Sequence, residues 1–392
     1  MTGLTREELC ALARHEGPGS VSIVMPAHTG GPDTREDPIR FRNLLREAEE
    51  RFVALGGRRP DIRRRLEPLF ALEQNAEFWE HQGRGLAVFV DDRPRIVRAP
   101  MDLEELVAVG LRFYLKPLLA AMSEGERFYV LALSQQTVRL FEASPYSIHE
   151  IDLPPDTPRS MADLAQYEVP ERSLQFHTGA PPGHGTDRAA MFHGQGVGTD
   201  EALEKRKIWE FCEYVKTGVA RRLNGQRAPL VLAGTEPILG IYREVSKYPN
   251  LVDDAVHGSP DRAKPEDLRN RAAEMVRPLF RQGLARDAER YHRAIESAPG
   301  DRASNDLETV LFAALDGRVD VLWVATDAHV WGRLDLQARR VDPHAARQPE
   351  DEELLNAASV LALRSRAAVH AMPRVSLPGA GPSAATFRFP AT

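Results

Sequence analysis

The chain has 392 residues, 42% hydrophobic and 28% charged, the composition of globular domains at a length that exceeds one ordinary core. A net charge of −6 and a pI of about 6.1 exclude a molecule-wide field that attracts DNA or RNA, so any RNA contact must come from local patches. No apolar run nears the ~20 residues that cross a bilayer, and the two cysteines, Cys10 and Cys212, make neither a disulfide scaffold nor a metal knuckle.

The first residues, with Arg6, Glu7 and Glu8, lack the apolar core of a secretion signal, so the expectation is a cytoplasmic protein with no membrane or DNA partner. Thr5 and Glu8 read as a capping box that opens a helix. Residues 20–25 (SVSIVM) form a short β-rich run before the loop PAHTGGP. Leu44, Leu45, Ala48, Phe52 and Leu55 recur at helical spacing, and Gly56-Gly57 stops that helix. The stretch from Arg35 to Arg65 is arginine-rich, and Arg58, Arg59, Arg63 and Arg64 are candidate RNA contacts. Interleaved Glu47, Glu49, Glu50 and Asp61 equally suit a solvated helix face. Residues 85–90 and 95–97 flank Asp91-Asp92-Arg93-Pro94 as a hairpin. Residues 103–122 are expected to be helical in parts, and a first boundary falls at 123–125. The N-terminal domain is therefore 1–125.

A second domain, 126–262, opens with paired strands at 128–133 (FYVLAL) and 137–141 (TVRLF) around Ser134-Gln135-Gln136, with a third strand at 147–153. Periodicity then disappears over about 154–199, a Pro/Gly/His-rich stretch too long for an ordinary connection. A helix comes next, with Ile208, Phe211, Cys212, Val215, Val219 and Leu223 as its apolar stripe and Gly225 at its end. Residues 230–233 (LVLA) are a buried strand, and Gly234 leads into a helix through Ile241 and Val245. After an Asp/Pro-rich linker near 258–265, a third domain covers 263–392. It has a long helix over 265–297, a helix LETVLFAAL capped by Asn305 and Glu308, a buried strand at 319–325, a helix at 351–366, and strands at 367–372 and 384–389. Alternating helix and strand indicates an α/β fold with helices on both faces of a sheet. The fold class is thus three consecutive α/β domains.

Chemistry concentrates in Phe192-His193-Gly194-Gln195-Gly196-Val197-Gly198, just before the Ile208 helix. Three glycines in five positions let the backbone turn sharply or approach another molecule closely. Gln195 there offers an amide donor and acceptor, but it cannot act as a base near neutrality. Its catalysis would be positional and electrostatic. The same pattern also suits an ordinary flexible loop, and it is not a phosphate-binding P-loop, because no Lys-Ser/Thr pair comes after the glycines. His177, His184 and His193 share the stretch, but their spacings match no zinc signature, so neither a metal nor a cofactor is expected.

The order of these parts resembles the archaeo-eukaryotic class I release factors and the rescue factor Pelota. It is most similar to the bacterial archaeo-eukaryotic release factor family, in particular its family 3. SIVMPAHTG, DPIRFRNLLREAE, RFYVLALS, FHGQG and IYREVSKYPNL carry the bacterial likeness over essentially the whole chain. The resemblance implies a middle domain like the Gly-Gly-Gln domain, and a last domain like the α/β/α sandwich of kink-turn-binding ribosomal proteins. The Gly-Gln loop would then promote peptidyl-tRNA hydrolysis, with Gly194, Gln195 and Gly196 at the reaction and His193, Lys205, Arg206 and Lys207 beside RNA. Partners would be the ribosome, through rRNA and peptidyl-tRNA, and a translational GTPase. His193 stands where the first glycine of the family motif should be, residues 197–201 carry no arginine, and no Asn-Ile-Lys-Ser decoding motif occurs. A non-catalytic ribosome-binding rescue or hibernation factor, or an RNA- and GTPase-binding adaptor, therefore stays open beside the hydrolytic reading.

Overall fold

The structure is a computed structural model that describes residues 6–29, 32–120, 127–166, 197–297 and 300–390. The described residues form two compact units. One is drawn from Met1–Arg127, Ser144–Ser147 and Arg277–Thr392, the other from Phe128–Ala143 and Ile148–Val276.

The first unit opens with α1 (Arg6–Arg14), β1 (Ser20–Pro26), α2 (Asp37–Ala54), α3 (Arg59–Phe70) and the single turn α4 (Ala76–Glu80). Next come β2 (Gly85–Val90), β3 (Pro94–Ala99), β4 (Leu106–Gly110) and the short α5 (Lys116–Leu119). The four strands make an antiparallel sheet in the order β3-β2-β1-β4, with Ser22 paired to both Phe89 and Ala108. One face, with Val21, Ile23, Met25 and Val88, packs under Phe41, Leu44, Leu45 and Ala48 of α2 and Ile62, Leu66 and Leu69 of α3. Gly19, at φ +74°, is needed there because a Cβ would lie 2.3 Å from the Phe52 ring. Of the stretch 103–122, expected to be helical in parts, the described residues are helical at Lys116–Leu119 and form strand β4 at Leu106–Gly110. Leu106, Val107, Ala108 and Val109 favour the sheet edge, and Pro117 suits only a helix start.

The second unit has β5 (Phe128–Leu133), β6 (Val138–Ala143), β7 (Ile148–Ile151), α6 (Val197–Arg222), β8 (Leu230–Gly234), α7 (Ile238–Val245) and β9 (Leu251–His257). Its sheet runs β7-β6-β5-β8-β9, antiparallel through the β5-β6-β7 meander and parallel across β5, β8 and β9. β5 and β8 are buried along their whole length, as continuous apolar runs in a parallel pair should be. The expected linker near 258–265 is fastened down, for Asp261 accepts hydrogen bonds from Ser134 Oγ, Thr137 Oγ1 (2.8 Å) and Ser259 Oγ (2.9 Å).

The long helix α8 (Pro265–Ser297) leads back to the first unit. There β10 (Ala303–Ser304), α9 (Leu307–Leu315), β11 (Val319–Ala325), β12 (Trp331–Asp335), β13 (Arg340–His344), β14 (Glu352–Glu353), α10 (Leu354–Arg364), β15 (Ala368–Met372) and β16 (Ser383–Phe387) complete the fold. A sheet in the order β10-β16-β11-β15 has α9 and α10 on one face and the Tyr291 end of α8 on the other, an α/β/α sandwich. The cap of α9 is Asp306, not Asn305. Its carboxylate accepts from the Thr309 amide at 2.9 Å.

The core beneath α9 and α10 does not stop at the C-terminal third. Leu9, Leu12, Val24, Ala87, Phe89, Phe113, Leu115 and Leu118 join Val310, Leu322, Leu354, Ala358, Leu361 and Phe387 in one apolar cluster. Asn356 fixes the junction: its Oδ1 accepts from the amides of Leu115 (2.7 Å) and Lys116 (3.0 Å), and its Nδ2 donates to Phe113 O (2.9 Å). Buried Arg112 donates to Glu352 at 2.8 and 3.0 Å and to Glu16 at 2.6 Å.

Candidate functional site

Gly194, Gln195, Gly196 and His193 lie outside the described residues, as do His177 and His184. The segments on either side of that stretch are described. Leaving β7, the chain is tied to the start of the hairpin: Arg159 O accepts from the Val138 amide, and Gln135 O accepts from the Met161 amide, both at 2.8 Å. Thr157 is buried against Gly218 of α6, where a Cβ would lie 2.1 Å from Thr157 Oγ1. Arg221 of α6 donates to Asp156.

On the far side, α6 is seated by the expected stripe of Ile208, Phe211, Cys212, Val215, Val219 and Leu223, all buried in the second unit's core. Burial pushes the Cys212 thiol up to about 12, so it is no nucleophile. Just before Ile208 the helix shows no buried side over 202–207, where every residue is exposed. Val197 lies 11 residues before Ile208, about 16 Å along the helix at ~1.5 Å per residue. The Gly194–Gly196 stretch is thus joined to the N-terminal end of a helical stalk whose root is fixed in the core.

Lys205, Arg206 and Lys207 sit on this stalk. Consecutive helical residues point about 100° apart, so the three fan around the helix instead of sharing a face. Arg206 also pairs with Glu210 at 3.1 Å. Sequence reasoning missed Trp209, Leu203 and Tyr214, large apolar side chains exposed on the same helix. The available signal was that none of the three falls on the stripe that Ile208 and Phe211 define.

The arginines of α3 separate into distinct roles. Arg59 and Arg63 both pair with Glu49 of α2, at 2.5 and 3.0 Å, and that carboxylate is only 6% exposed. Arg65 lies over the Phe52 ring. Arg58 and Arg64 bracket Asp61 at 3.7 and 3.8 Å with side chains 79% and 77% exposed, pairs too open to hold much energy. Glu49 thus engages two of these arginines, while Arg58 and Arg64 extend into solvent. Among the described residues, no group of three or more His, Cys, Asp or Glu could hold a metal ion.

A model of the bacterial archaeo-eukaryotic release factor family 7 matches residues 128–278. The match is to family 7 and not to the expected family 3, and it covers the middle of the chain instead of its whole length. No curated protein matches the chain. Among solved structures, the chain is similar to the archaeal translation termination factor aRF1 at 15% identity, over 99% of each chain, with a TM-score of 0.26. Pelota of Archaeoglobus fulgidus is 13% identical over 99% of this chain and 94% of that one, with a TM-score of 0.27. Archaeal Pelota in a ribosome-bound model with ABCE1 is 12% identical over 100% and 96%, with a TM-score of 0.35. Scores this low carry no argument about function.

Proposed function

We propose that this chain is a cytoplasmic, ribosome-associated factor of the release or rescue type. In this reading the domain over 126–262 delivers the Gly194–Gly196 stretch to peptidyl-tRNA. The observation that carries the reading is the family 7 match, whose span of 128–278 includes that stretch. The exposed stalk of α6 supports it, since a segment that must enter a narrow site has to project from the body that bears it. Gln195 would position the attacking water, and Gly194 and Gly196 would let the backbone fit close to RNA. His193, Lys205 and Lys207 would contact RNA, as would Arg206 if its pairing with Glu210 yields. The ribosome would supply rRNA and peptidyl-tRNA, and a translational GTPase would engage the domain over 263–392.

The test is release of labelled peptide from purified stalled ribosomes, with co-sedimentation scored in the same reactions. The expected outcome is at least a hundredfold loss of release in Gln195→Ala, of the order seen when one positioned donor is removed, with ribosome binding retained. Undiminished release by the variant would end the assignment. A second reading, a non-catalytic rescue or hibernation factor, is favoured by His193 in place of the motif's first glycine and by the absence of arginine over 197–201. It predicts co-sedimentation with no release by either protein.

A further inference from the structure

α2 and α3 enclose an open groove of about 620 Å³ lined by Arg46, Glu49, Pro60, Arg63, Arg64, Glu67 and Phe70. That volume lies inside the ~300–1,000 Å³ range of small-ligand sites. Three of its seven lining residues are arginines, and they differ in how they are held. Arg63 is posted by buried Glu49, which also holds Arg59 at the rim. Arg46 is exposed and makes no ion pair among the described residues, and Arg64 has only its open approach to Asp61. Two cations therefore face the groove without a committed partner, beside one that is already oriented.

We propose that this groove binds single-stranded RNA, with Arg46, Arg63 and Arg64 on phosphates and a base laid against Phe70 and Pro60. The lining chooses between anions. An acidic peptide would bring carboxylates against Glu49 and Glu67, whereas a nucleotide separates its charge from its base. Phosphate suits the guanidinium forks, a base face suits the half-buried Phe70 ring, and the amino edge of a base can donate to Glu67. Duplex RNA would offer neither an unstacked base nor a strand narrow enough for the groove. Arg46 enters the site only through the packing of α2 on α3, and Phe70 lies on α3 itself, seven residues beyond Arg63. Only the source of the RNA, the ribosome, rests on the function proposed above.

The experiment is fluorescence anisotropy of the full chain with a labelled single-stranded oligouridylate, repeated across salt concentration. The expected result is salt-sensitive binding. The exposed pair Arg46→Gln with Arg64→Gln should weaken it roughly tenfold at low salt and lower the salt slope by about 1.4, two single-strand phosphate contacts. Phe70→Leu keeps the wall apolar and should weaken binding severalfold with the slope unchanged. Thermal unfolding near the wild-type temperature verifies that each variant is folded. Equal affinity and slope in wild type and the arginine variant would overturn the groove, as would competition by polyglutamate but not by unlabelled RNA. Wild type that binds RNA through the groove yet never co-sediments with ribosomes would sink the ribosomal reading alone.

Discussion

At the scale of single residues, two contacts fasten segments of the second unit to one another. The first is Gly218 against Thr157. A methyl at Gly218 would meet Thr157 Oγ1 at 2.1 Å and Cγ2 at 2.6 Å, so one helix turn or the buried segment must move. Gly218→Ala should cost about 1–3 kcal/mol despite the better helix propensity of alanine, seen as a lower unfolding temperature. Thr157→Ala in the same chain should recover part of that loss. Thr157 Oγ1 is buried with no hydrogen-bond partner among the described residues, so its removal frees space at little polar cost. The second is Asp261, whose hydrogen bonds from Ser134, then Thr137 and Ser259, outweigh desolvation and hold its carboxyl below the usual value of 3.8. A depressed folded-state pKa means the unfolded chain takes up the proton first. The contribution of Asp261 is therefore complete above pH 3.8 and disappears as pH falls below it. Asp261→Asn should lower stability at neutral pH and flatten the acid limb of a stability-versus-pH titration. An unchanged acid limb would mean that the β5–β6 turn does not depend on this carboxylate.

At the scale of elements, α6 is two helices in one. From Ile208 onward it is held by a buried stripe, while residues 202–207 are all exposed and lean mainly on helix propensity. Amide hydrogen exchange should therefore be fast through 202–207 and slow from Phe211 to Val219, and comparable protection over both would contradict the stalk. This helix was readable in the sequence because its stripe is strong and Gly225 ends it. β5 and β8 were readable as unbroken apolar runs, and β11 by its apolar stretch from Val321 to Ala325. β9, β12 and β13 were not. Leu251-Val252-Asp253-Asp254 carries charge at an edge, and β12 and β13 alternate weakly among Arg, Asp and Pro. Such strands are specified by what they pair with, which a one-dimensional pattern does not carry. The Arg46–Phe70 groove was hidden likewise. Arg63 was visible in the sequence, but its orientation by Glu49, fourteen residues earlier, is a property of helix packing.

At the scale of the whole molecule, the first unit joins the two ends of the sequence. Three independently folding domains and two cooperative units make opposite predictions about a fragment of residues 277–392. On its own the fragment would lose the packing of α1 and α5 against α10 and leave Leu354, Ala358 and Leu361 in a cluster without Leu9, Phe89, Phe113 and Leu118. It would also lose the three backbone partners of Asn356 and leave Glu352 without Arg112. At roughly 1.5–3 kcal/mol for each large apolar side chain fully uncovered, uncovering four would cost about 6–12 kcal/mol, comparable with the ~5–15 kcal/mol that stabilises a typical domain. The fragment alone should unfold without a cooperative transition, and residues 1–127 supplied in trans should restore one. Asn356→Ala in the full chain gives the same question a gentler form. It strands the amides of Leu115 and Lys116 and the carbonyl of Phe113 in the interior, at about 1–3 kcal/mol for each group left unsatisfied. If the ends fold as one, their single transition should shift down as a whole. A variant that instead splits it in two, or a fragment of 277–392 that unfolds sharply by itself, would establish the C-terminal third as a domain in its own right.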